Sequence, residues 1–166
     1  MTDAEADAII ERYAADILAS EGMGRERGFV QHGTVSAFEH SCSVARAALR
    51  LAARLDADID VVTLVRGALL HDYFGYDWHL RETAPPHHAF LHPRYAAENA
   101  AADFQVEPEV DEVIRRHMFP LVPIPPRSRE AWIVCLADKA VATGETYRGI
   151  RARLAGALGH AEGHGA

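Results

Sequence analysis

Apolar residues recur at intervals of three and four along most of the chain, and this periodicity restricts the fold more than any other feature of the sequence. The first series is formed by Ala6, Ile9, Ile10, Tyr13 and Ile17. Because an α-helix turns once every 3.6 residues, these side chains share one helical face. No segment shows the strict two-residue alternation of a half-buried strand. The sequence therefore predicts an all-α fold.

The periodic segments and their capping residues predict a single-domain bundle of about six to eight helices. The second helix is expected to begin after a cap at Thr34 or Ser36. The predicted helices cover about 3–20, from that cap to 55, 61–72, 93–103, 108–118, 129–143 and 147–158. Residues 24–35 and the segment between 73 and 92 are predicted to be irregular. One domain over 1–158 is therefore expected, followed by a disordered tail at 159–166.

The charge of the chain limits its partners. Its formal net charge is −7 at pH 7, which opposes general binding to a nucleic-acid backbone, since such binding needs a basic face. No apolar run approaches the roughly 20 residues of a membrane span. The N-terminal MTDAEADAII lacks the basic start of a secretory signal. We therefore expect a cytoplasmic protein that binds neither nucleic-acid polymers nor membranes.

Several polar residues fall at inward positions of these helices. His40 precedes the apolar series of the second helix, and His71 ends that of the third. His117 and Asp138 end the apolar faces of two later helices, while Asp72 follows His71 directly. An isolated inward histidine is usually a hydrogen-bonded core residue. Five such residues in one small helical chain instead predict a shared site between facing helices.

The chemistry of this set favours a metal ion. Imidazole and carboxylate groups without a thiolate suit iron, manganese, zinc, nickel or cobalt, and suit magnesium less well. A carboxylate can bridge two ions, as a two-metal site requires. The sequence therefore predicts one or two divalent transition-metal ions per chain.

The order His40, His71-Asp72, Asp138 resembles the HD-domain superfamily of all-α, metal-dependent phosphohydrolases. Two further histidines, His92 and His117, resemble the extra ligands of its dinuclear members. The resemblance implies that His40, His71, Asp72 and Asp138 hold one ion. It implies that Asp72, His92 and His117 hold the other, with the carboxylate of Asp72 as the bridge.

The chain is also similar to a subgroup of small, stand-alone bacterial HD proteins. The matching segments are LVRGALLHDYFGYDWH, HPRYAAENA, HMFPL and PPRSREAWIVCLADK. The HDxGK continuation of HD-GYP cyclic-dinucleotide phosphodiesterases is absent, since YFGY follows the His-Asp pair. This difference disfavours cleavage of cyclic dinucleotides.

Four more residues are candidates for contact with a substrate. Lys139 is the chain's single lysine and follows Asp138 directly, so it is a candidate catalytic residue and a point charge for phosphate. Arg94 is a candidate phosphate clamp near a predicted helix N-terminus. Asp77 is a candidate for proton transfer and His79 for substrate binding, because both lie just beyond the His-Asp pair.

The favoured function is hydrolysis of a phosphate ester or anhydride of a small molecule by metal-activated water. A nucleotide is the expected substrate, since nucleotide-cleaving dinuclear HD enzymes share the six-ligand order. Two alternatives stay open: a dinuclear-iron oxygenase of the HD type and a non-catalytic nucleotide-binding regulatory module. The partner is a small phosphorylated molecule, and a homodimer stays open. No G-x-S-x-G, P-loop or G-x-G-x-x-G motif supports another enzyme class.

Overall fold

The computed structural model describes residues 1–80, 82 and 84–162. These described residues form seven α-helices and one small antiparallel sheet, which confirms the predicted all-α class. In chain order the elements are α1 (Asp3–Leu18), α2 (Glu21–Glu26), β1 (Val30–His32), β2 (Val35–Ser36), α3 (Ala37–Arg54), α4 (Val61–Leu70), α5 (His88–Asp103), α6 (Pro108–Arg116) and α7 (Arg129–Glu162). None of the described helices combines the length and apolar composition that a membrane crossing requires.

Local capping fixes where the central helices begin. Of the two candidate caps of α3 the structure uses Ser36, whose hydroxyl accepts from the main-chain N–H of Glu39 while the Glu39 carboxylate accepts from Ser36 N–H. Asp60 caps α4 by accepting from Val62 N–H at 2.9 Å. These bonds satisfy main-chain donors that a helix start leaves free. The helices that carry His40 and His71 therefore begin at defined positions.

The core lies between α3 and α4, with α1, α6 and α7 packed around them. Gly67 allows α4 and α6 to approach closely, because a Cβ atom at this position would lie 2.6 Å from Val113 Cγ1. Any larger residue would push the two helices apart. This contact matters for function, since His71 and His117 directly follow the C-terminal ends of these two helices.

The prediction that residues 24–35 are irregular is wrong in part. Glu21–Glu26 form α2, which Ser20 caps by accepting from Met23 N–H, and Val30–His32 and Val35–Ser36 form two short strands. Helix α2 has six residues and the strands have three and two. Segments of this length are too short to show a helical or strand period in the sequence.

Two predicted helix boundaries also differ from the structure. Helix α5 begins at His88, five residues before Pro93. It begins there because the main-chain N–H groups of Phe90 and Leu91 donate to the carbonyl oxygen of His87. The predicted break between 143 and 147 is absent, and α7 runs without interruption from Arg129 to Glu162. Residues 159–162 of the predicted tail belong to α7, while 163–166 lie outside the described residues.

Candidate metal centre

The structure brings the six predicted metal ligands together in the interior of the helical bundle. Each is at most 8 % exposed. They are His40 in the first turn of α3, His71 and Asp72 directly after α4, His92 in α5, His117 directly after α6 and Asp138 in α7. Five helices thus each contribute to one buried polar cluster. Burial of this many polar groups is costly unless they satisfy one another or hold a charged ligand.

The carboxylate of Asp72 lies at the centre of this cluster. Its Oδ1 atom is 3.2 Å from His92 Nε2 and 3.5 Å from His117 Nε2. Its Oδ2 atom is 3.4 Å from His71 Nε2 and 3.8 Å from His40 Nε2. One carboxylate therefore faces two pairs of imidazoles through different oxygen atoms, which is the arrangement that a bridging ligand needs.

Asp138 completes one side of the cluster. Its Oδ1 atom is 3.2 Å from His40 Nε2 and 3.7 Å from His71 Nε2. His92 and His117 lie against Oδ1 of Asp72, and His117 is also within reach of Asp138. The cluster therefore divides into two overlapping halves with Asp72 common to both.

The Nδ1 atoms of the four histidines point away from the centre. Three donate to main-chain carbonyl groups: His71 to Ala68 at 2.8 Å, His92 to His88 at 3.1 Å and His117 to Ile114 at 2.7 Å. The Nδ1 atom of His40 lies 2.8 Å from Glu145 Oε2. Because these partners are acceptors, each Nδ1 atom carries the proton, and a neutral ring then has a free lone pair on Nε2. This is the orientation of metal-binding histidines.

The inner atoms of the cluster fit a cation better than they fit one another. His92 Nε2 and His117 Nε2 lie 2.9 Å apart, so two lone pairs face each other across a short distance in the neutral rings. His71 Nε2 and Asp72 Oδ1 are both buried without a hydrogen-bond partner in the described part of the chain. Such unsatisfied groups cost about 1–3 kcal/mol each. A bound cation would remove these costs.

The electrostatics keep the carboxylates ionised. Burial raises the pKa of Asp72, but the charge of His71 and the other imidazoles close to its two oxygens outweigh it and hold that pKa well below its usual range. Burial also raises the pKa of Asp138, but the hydrogen bond with His40 and the charge of His71 hold it below its usual range. Burial lowers the pKa of His40, yet hydrogen bonds with Asp138 and Glu145 raise it to about 9. The cluster thus presents ionised carboxylates that attract a positive charge.

Three overlapping groups of side chains have ligand atoms close enough to hold an ion, within 4.8 Å of one another. The groups are His40–His71–Asp72, His71–His117–Asp138 and Asp72–His92–His117. The first and third share only Asp72, and the second connects Asp138 with His71 and His117. The buried histidine and aspartate residues can therefore hold a metal ion.

Gln31 is a component of the site that the sequence did not reveal. Its Nε2 donates to Asp72 Oδ2 at 2.5 Å, and its Oε1 accepts from Trp78 Nε1 at 3.1 Å. The amide orientation is determined by its partners, because the indole only donates and the carboxylate only accepts. Gln31 lies in β1, within the segment predicted to be irregular, and no sequence signal connected it with the His-Asp pair.

Glu145 was also missed, although a signal for it existed. It is 3 % exposed and accepts from His40 through the contact described above. It follows Asp138 by seven residues on α7, and two helical turns separate residues on the same face. The predicted helix break at 143–147 concealed this relation, since it placed Glu145 in a connection.

A cavity of about 380 Å³ opens onto the cluster. Asp72, His92, His117 and Asp138 contribute to its wall. Lys139 also lines it and donates through Nζ to the carbonyl oxygen of His117 at 2.8 Å. The lysine is therefore held beside the candidate metal centre by a main-chain acceptor.

Three candidate substrate residues are not in the cavity wall. Arg94 is 66 % exposed on α5 and pairs with Glu98, because it follows His92 by two residues and faces outward. Asp77 accepts a hydrogen bond from the main-chain N–H of His79. The centroids of the His79 and Trp78 rings are 3.8 Å apart. These contacts are local to the loop after α4, so the structure does not bring Arg94, Asp77 or His79 to the cluster.

The family model of the HD domain matches residues 37–143, which is more than half of the chain. The chain therefore belongs to the HD domain family, and the predicted superfamily is confirmed. The HD domain is typical of metal-dependent phosphohydrolases. No curated protein and no solved structure matches the chain. The match with the bacterial subgroup stays a prediction.

Proposed function

We propose that this protein is a metal-dependent hydrolase that cleaves a phosphate ester or anhydride of a small molecule. The observation that carries the proposal is the convergence of four Nε2 atoms on the ionised carboxylates of Asp72 and Asp138. The HD family match supports the same class of reaction. A nucleotide is the substrate we favour, from the resemblance to dinuclear nucleotide-cleaving HD enzymes.

The residues divide into two ligand sets that share one carboxylate. His40, His71, Asp72 and Asp138 would hold one ion, and Asp72, His92 and His117 the other. A divalent cation bound there lowers the pKa of a water molecule and neutralises charge on phosphoryl oxygens. We propose iron, manganese, zinc, nickel or cobalt, since the donors are imidazoles and carboxylates.

The chain's own groups position these ligands and the substrate. Main-chain acceptors and Glu145 hold the imidazoles with Nε2 inward, and Gln31 fixes one oxygen of Asp72. Lys139 would bind a phosphoryl oxygen as a point charge at the cavity wall. The six side chains of the cluster are at most 8 % exposed, and low contact with bulk water strengthens electrostatic interactions.

The test combines metal content with phosphate release on protein purified without a histidine tag. We expect one or two transition-metal ions per chain by plasma mass spectrometry. We expect release of inorganic phosphate from at least one member of a panel of phosphomonoesters, nucleotides and dinucleotides, with loss of activity after chelation. Asp138→Asn should lose both properties. The matched control is Asp111→Asn, which removes an acid paired with Arg115 on α6.

Three results would contradict the proposal. Folded wild-type protein that binds no metal even after reconstitution would remove its basis. Turnover that requires dioxygen and releases no phosphate would instead identify an oxygenase. Nucleotide binding by loaded protein without turnover under any metal would identify a regulatory module.

A further inference from the structure

A second cavity, of about 220 Å³, lies between α2, the segment after α4 and the C-terminal part of α5. No described residue lines both this cavity and the one at the candidate metal centre. The polar residues of its wall are Arg25, Glu26, Tyr73, Asn99 and Asp103. A ligand bound here would therefore be distinct from the metal centre and its substrate.

Glu26 contributes a carboxyl oxygen that the described part of the chain leaves unsatisfied. The residue is 2 % exposed. Its Oε1 atom accepts from the main-chain N–H of Gly75 at 2.9 Å, and Gly75 also lines the cavity. Its Oε2 atom is buried and has no hydrogen-bond partner among the described residues. Because an unsatisfied buried acceptor is costly, a donor that enters the cavity would remove this cost.

The neighbouring polar groups of the wall also accept rather than donate. The Tyr73 hydroxyl donates to Asp103 Oδ2 at 2.6 Å, so its proton is already used. Asn99 Nδ2 donates to the main-chain carbonyl oxygens of Tyr73 at 3.2 Å and Phe74 at 2.8 Å. These partners orient the amide, because a carbonyl oxygen only accepts. The wall therefore offers carboxylate, amide and hydroxyl oxygens as acceptors.

The charges of the wall favour a positive ligand. Arg25 is the one basic residue among the described residues of this wall; its side chain is 55 % exposed and lies 3.5 Å from Glu21. Glu26 and Asp103 supply two acids. Burial raises the pKa of Glu26 to about 8, and a cation beside the carboxyl would favour its ionised form. With both acids ionised, negative charge exceeds positive charge in the wall.

Close packing holds these acceptors in place. Gly22 of α2 lies against Tyr73, since a Cβ atom at this glycine would overlap the Tyr73 hydroxyl. Tyr73 is 3 % exposed, and its ring packs against Phe104 with centroids 5.7 Å apart. Asn99 attaches the same segment to α5 through the two bonds described above. Groups that are fixed before binding lose little conformational freedom when a ligand arrives, which favours binding.

We propose that this cavity binds the protonated amino group of a small organic molecule, with Glu26 and Asp103 as its charged acceptors. An ammonium group has three N–H donors and no acceptor, which matches a wall of acceptors. A metal ion fits less well, because Glu26 and Asp103 are the only acids of the described wall. No group of three potential ligands meets there among the described residues. The inference is independent of the proposed hydrolase function.

The test compares n-propylammonium with n-propanol, which have equal numbers of heavy atoms and differ in the charged donor group. Each is titrated near neutral pH into isotope-labelled protein loaded with zinc, which is diamagnetic. Magnetic resonance follows the main-chain N–H of Gly75, which donates to Glu26. We expect a saturable shift with propylammonium, with a dissociation constant of about 10 mM or lower. Propanol should bind at least about tenfold more weakly, because it brings no charge and one donor.

Two outcomes of this comparison would overturn the inference. Equal affinities would show that the cavity does not select a charged donor. A shift of the Gly75 resonance that grows linearly with propylammonium concentration, without saturation, would show that no site exists there.

Substitution of Glu26 gives the matched comparison. Glu26→Gln keeps the size of the side chain but removes its charge, so propylammonium affinity should fall at least about tenfold. The control is Glu98→Gln, which changes an acid of α5 that pairs with Arg94 and does not line the cavity. It should retain the wild-type affinity within about twofold. Unchanged affinity in Glu26→Gln, or an equal loss in both variants, would overturn the inference.

A second variant tests the other acid. Asp103 is exposed, and Asp103→Asn can still accept from Tyr73, so the fold should be retained. Loss of its charge should weaken propylammonium binding about threefold or more, since a charged acceptor binds a cation more strongly than a neutral one. Wild-type affinity in Asp103→Asn would contradict its assignment as an acceptor.

Discussion

Two carboxyl groups of this protein are similarly buried and similarly hydrogen-bonded, but their pKa values are shifted in opposite directions. Asp72 and Glu26 are 4 % and 2 % exposed. Each accepts one hydrogen bond, from Gln31 and from the main-chain N–H of Gly75 respectively, and each has a second oxygen without a partner. Yet the pKa of Asp72 is held well below its usual range, while burial raises the pKa of Glu26 to about 8.

The difference lies in the groups that face the carboxyl. Four imidazoles surround Asp72 within 3.8 Å. For Glu26 the hydrogen bond from Gly75 only partly offsets the cost of burial, and the charge of Asp72 raises its pKa further. Burial alone therefore does not make a charged site. A buried carboxyl stays ionised where donors or cations converge on it, and it takes up a proton elsewhere.

Replacing Asp72 should give the largest effect. Asp72→Asn keeps the shape but removes the charge and one bridging oxygen, so metal content should fall to near zero and phosphate release by at least about 100-fold. Glu26→Gln should keep its metal, because Glu26 lies outside the ligand set. The measurement is metal per chain together with initial rates. Equal metal content in Asp72→Asn and wild type would show that Asp72 is not a ligand.

Replacing Glu26 by glutamine should instead increase the free energy of unfolding. Between pH 4.5 and 8 the unfolded chain releases the Glu26 proton while the folded protein retains it, so wild-type stability falls as pH rises through this window. Glu26→Gln cannot titrate. Its free energy of unfolding should exceed that of wild type by an amount that grows to about 4 kcal/mol near pH 8.

Urea unfolding of wild type and Glu26→Gln at pH 5, 6.5 and 8 measures this effect, with equal metal loading of both proteins. At pH 5 the two free energies should differ little. A difference that does not change with pH would show that Glu26 is ionised in the folded protein at all three values.

Gln31 supports Asp72 from outside the ligand set. Gln31→Leu removes the donor to Oδ2 and leaves the carboxylate less firmly oriented, so metal affinity should fall about 10- to 100-fold. The control is Gln105→Leu, which changes the chain's other glutamine at an exposed position. Competition with a fluorescent chelator gives both affinities. Identical values for the two variants would rule out an orienting role for Gln31.

The smallest expected effect concerns the partner of His40. In Glu145→Gln the amide oxygen still accepts from Nδ1 but the charge is lost, so metal affinity should fall by about tenfold. Glu98→Gln changes an exposed acid that pairs with Arg94 and should behave as wild type. A larger loss for Glu98→Gln than for Glu145→Gln would contradict the assigned geometry.

Helix phase explains why the inward positions of His40, His71, His117 and Asp138 were predictable from the sequence, whereas His92 was indicated only by the resemblance to the HD family. The positions of His40 and His71 relative to their apolar neighbours fix the direction of each side chain once a helix is assumed. Their mutual distances did not follow from phase, because those depend on contacts such as the one between Gly67 and Val113. The resemblance to the HD family supplied the order in which the ligands combine.

The orienting and substrate residues were not predictable in the same way. Glu145 was not predicted because it lies in the predicted break between the helices 129–143 and 147–158. The glycine at 144 does not end the helix, since a glycine inside a helix costs only about 1 kcal/mol relative to alanine. Helix α7 therefore continues through this position. Gln31 depends on a five-residue sheet too short to show a period. Arg94 was predicted to clamp phosphate because it lies near a predicted helix N-terminus. In the structure α5 begins earlier, at His88, and Arg94 pairs with Glu98.

Helix α7 continues beyond the C-terminal end of the segment that matches the HD family model. The HD match covers residues 37–143, and a fragment trimmed to that span keeps all six ligand side chains. It loses Gln31 before the first boundary and Glu145 two residues beyond the second. The span that matches the family is therefore shorter than the part of the chain that contains the hydrogen bonds of Asp72 with Gln31 and of His40 with Glu145.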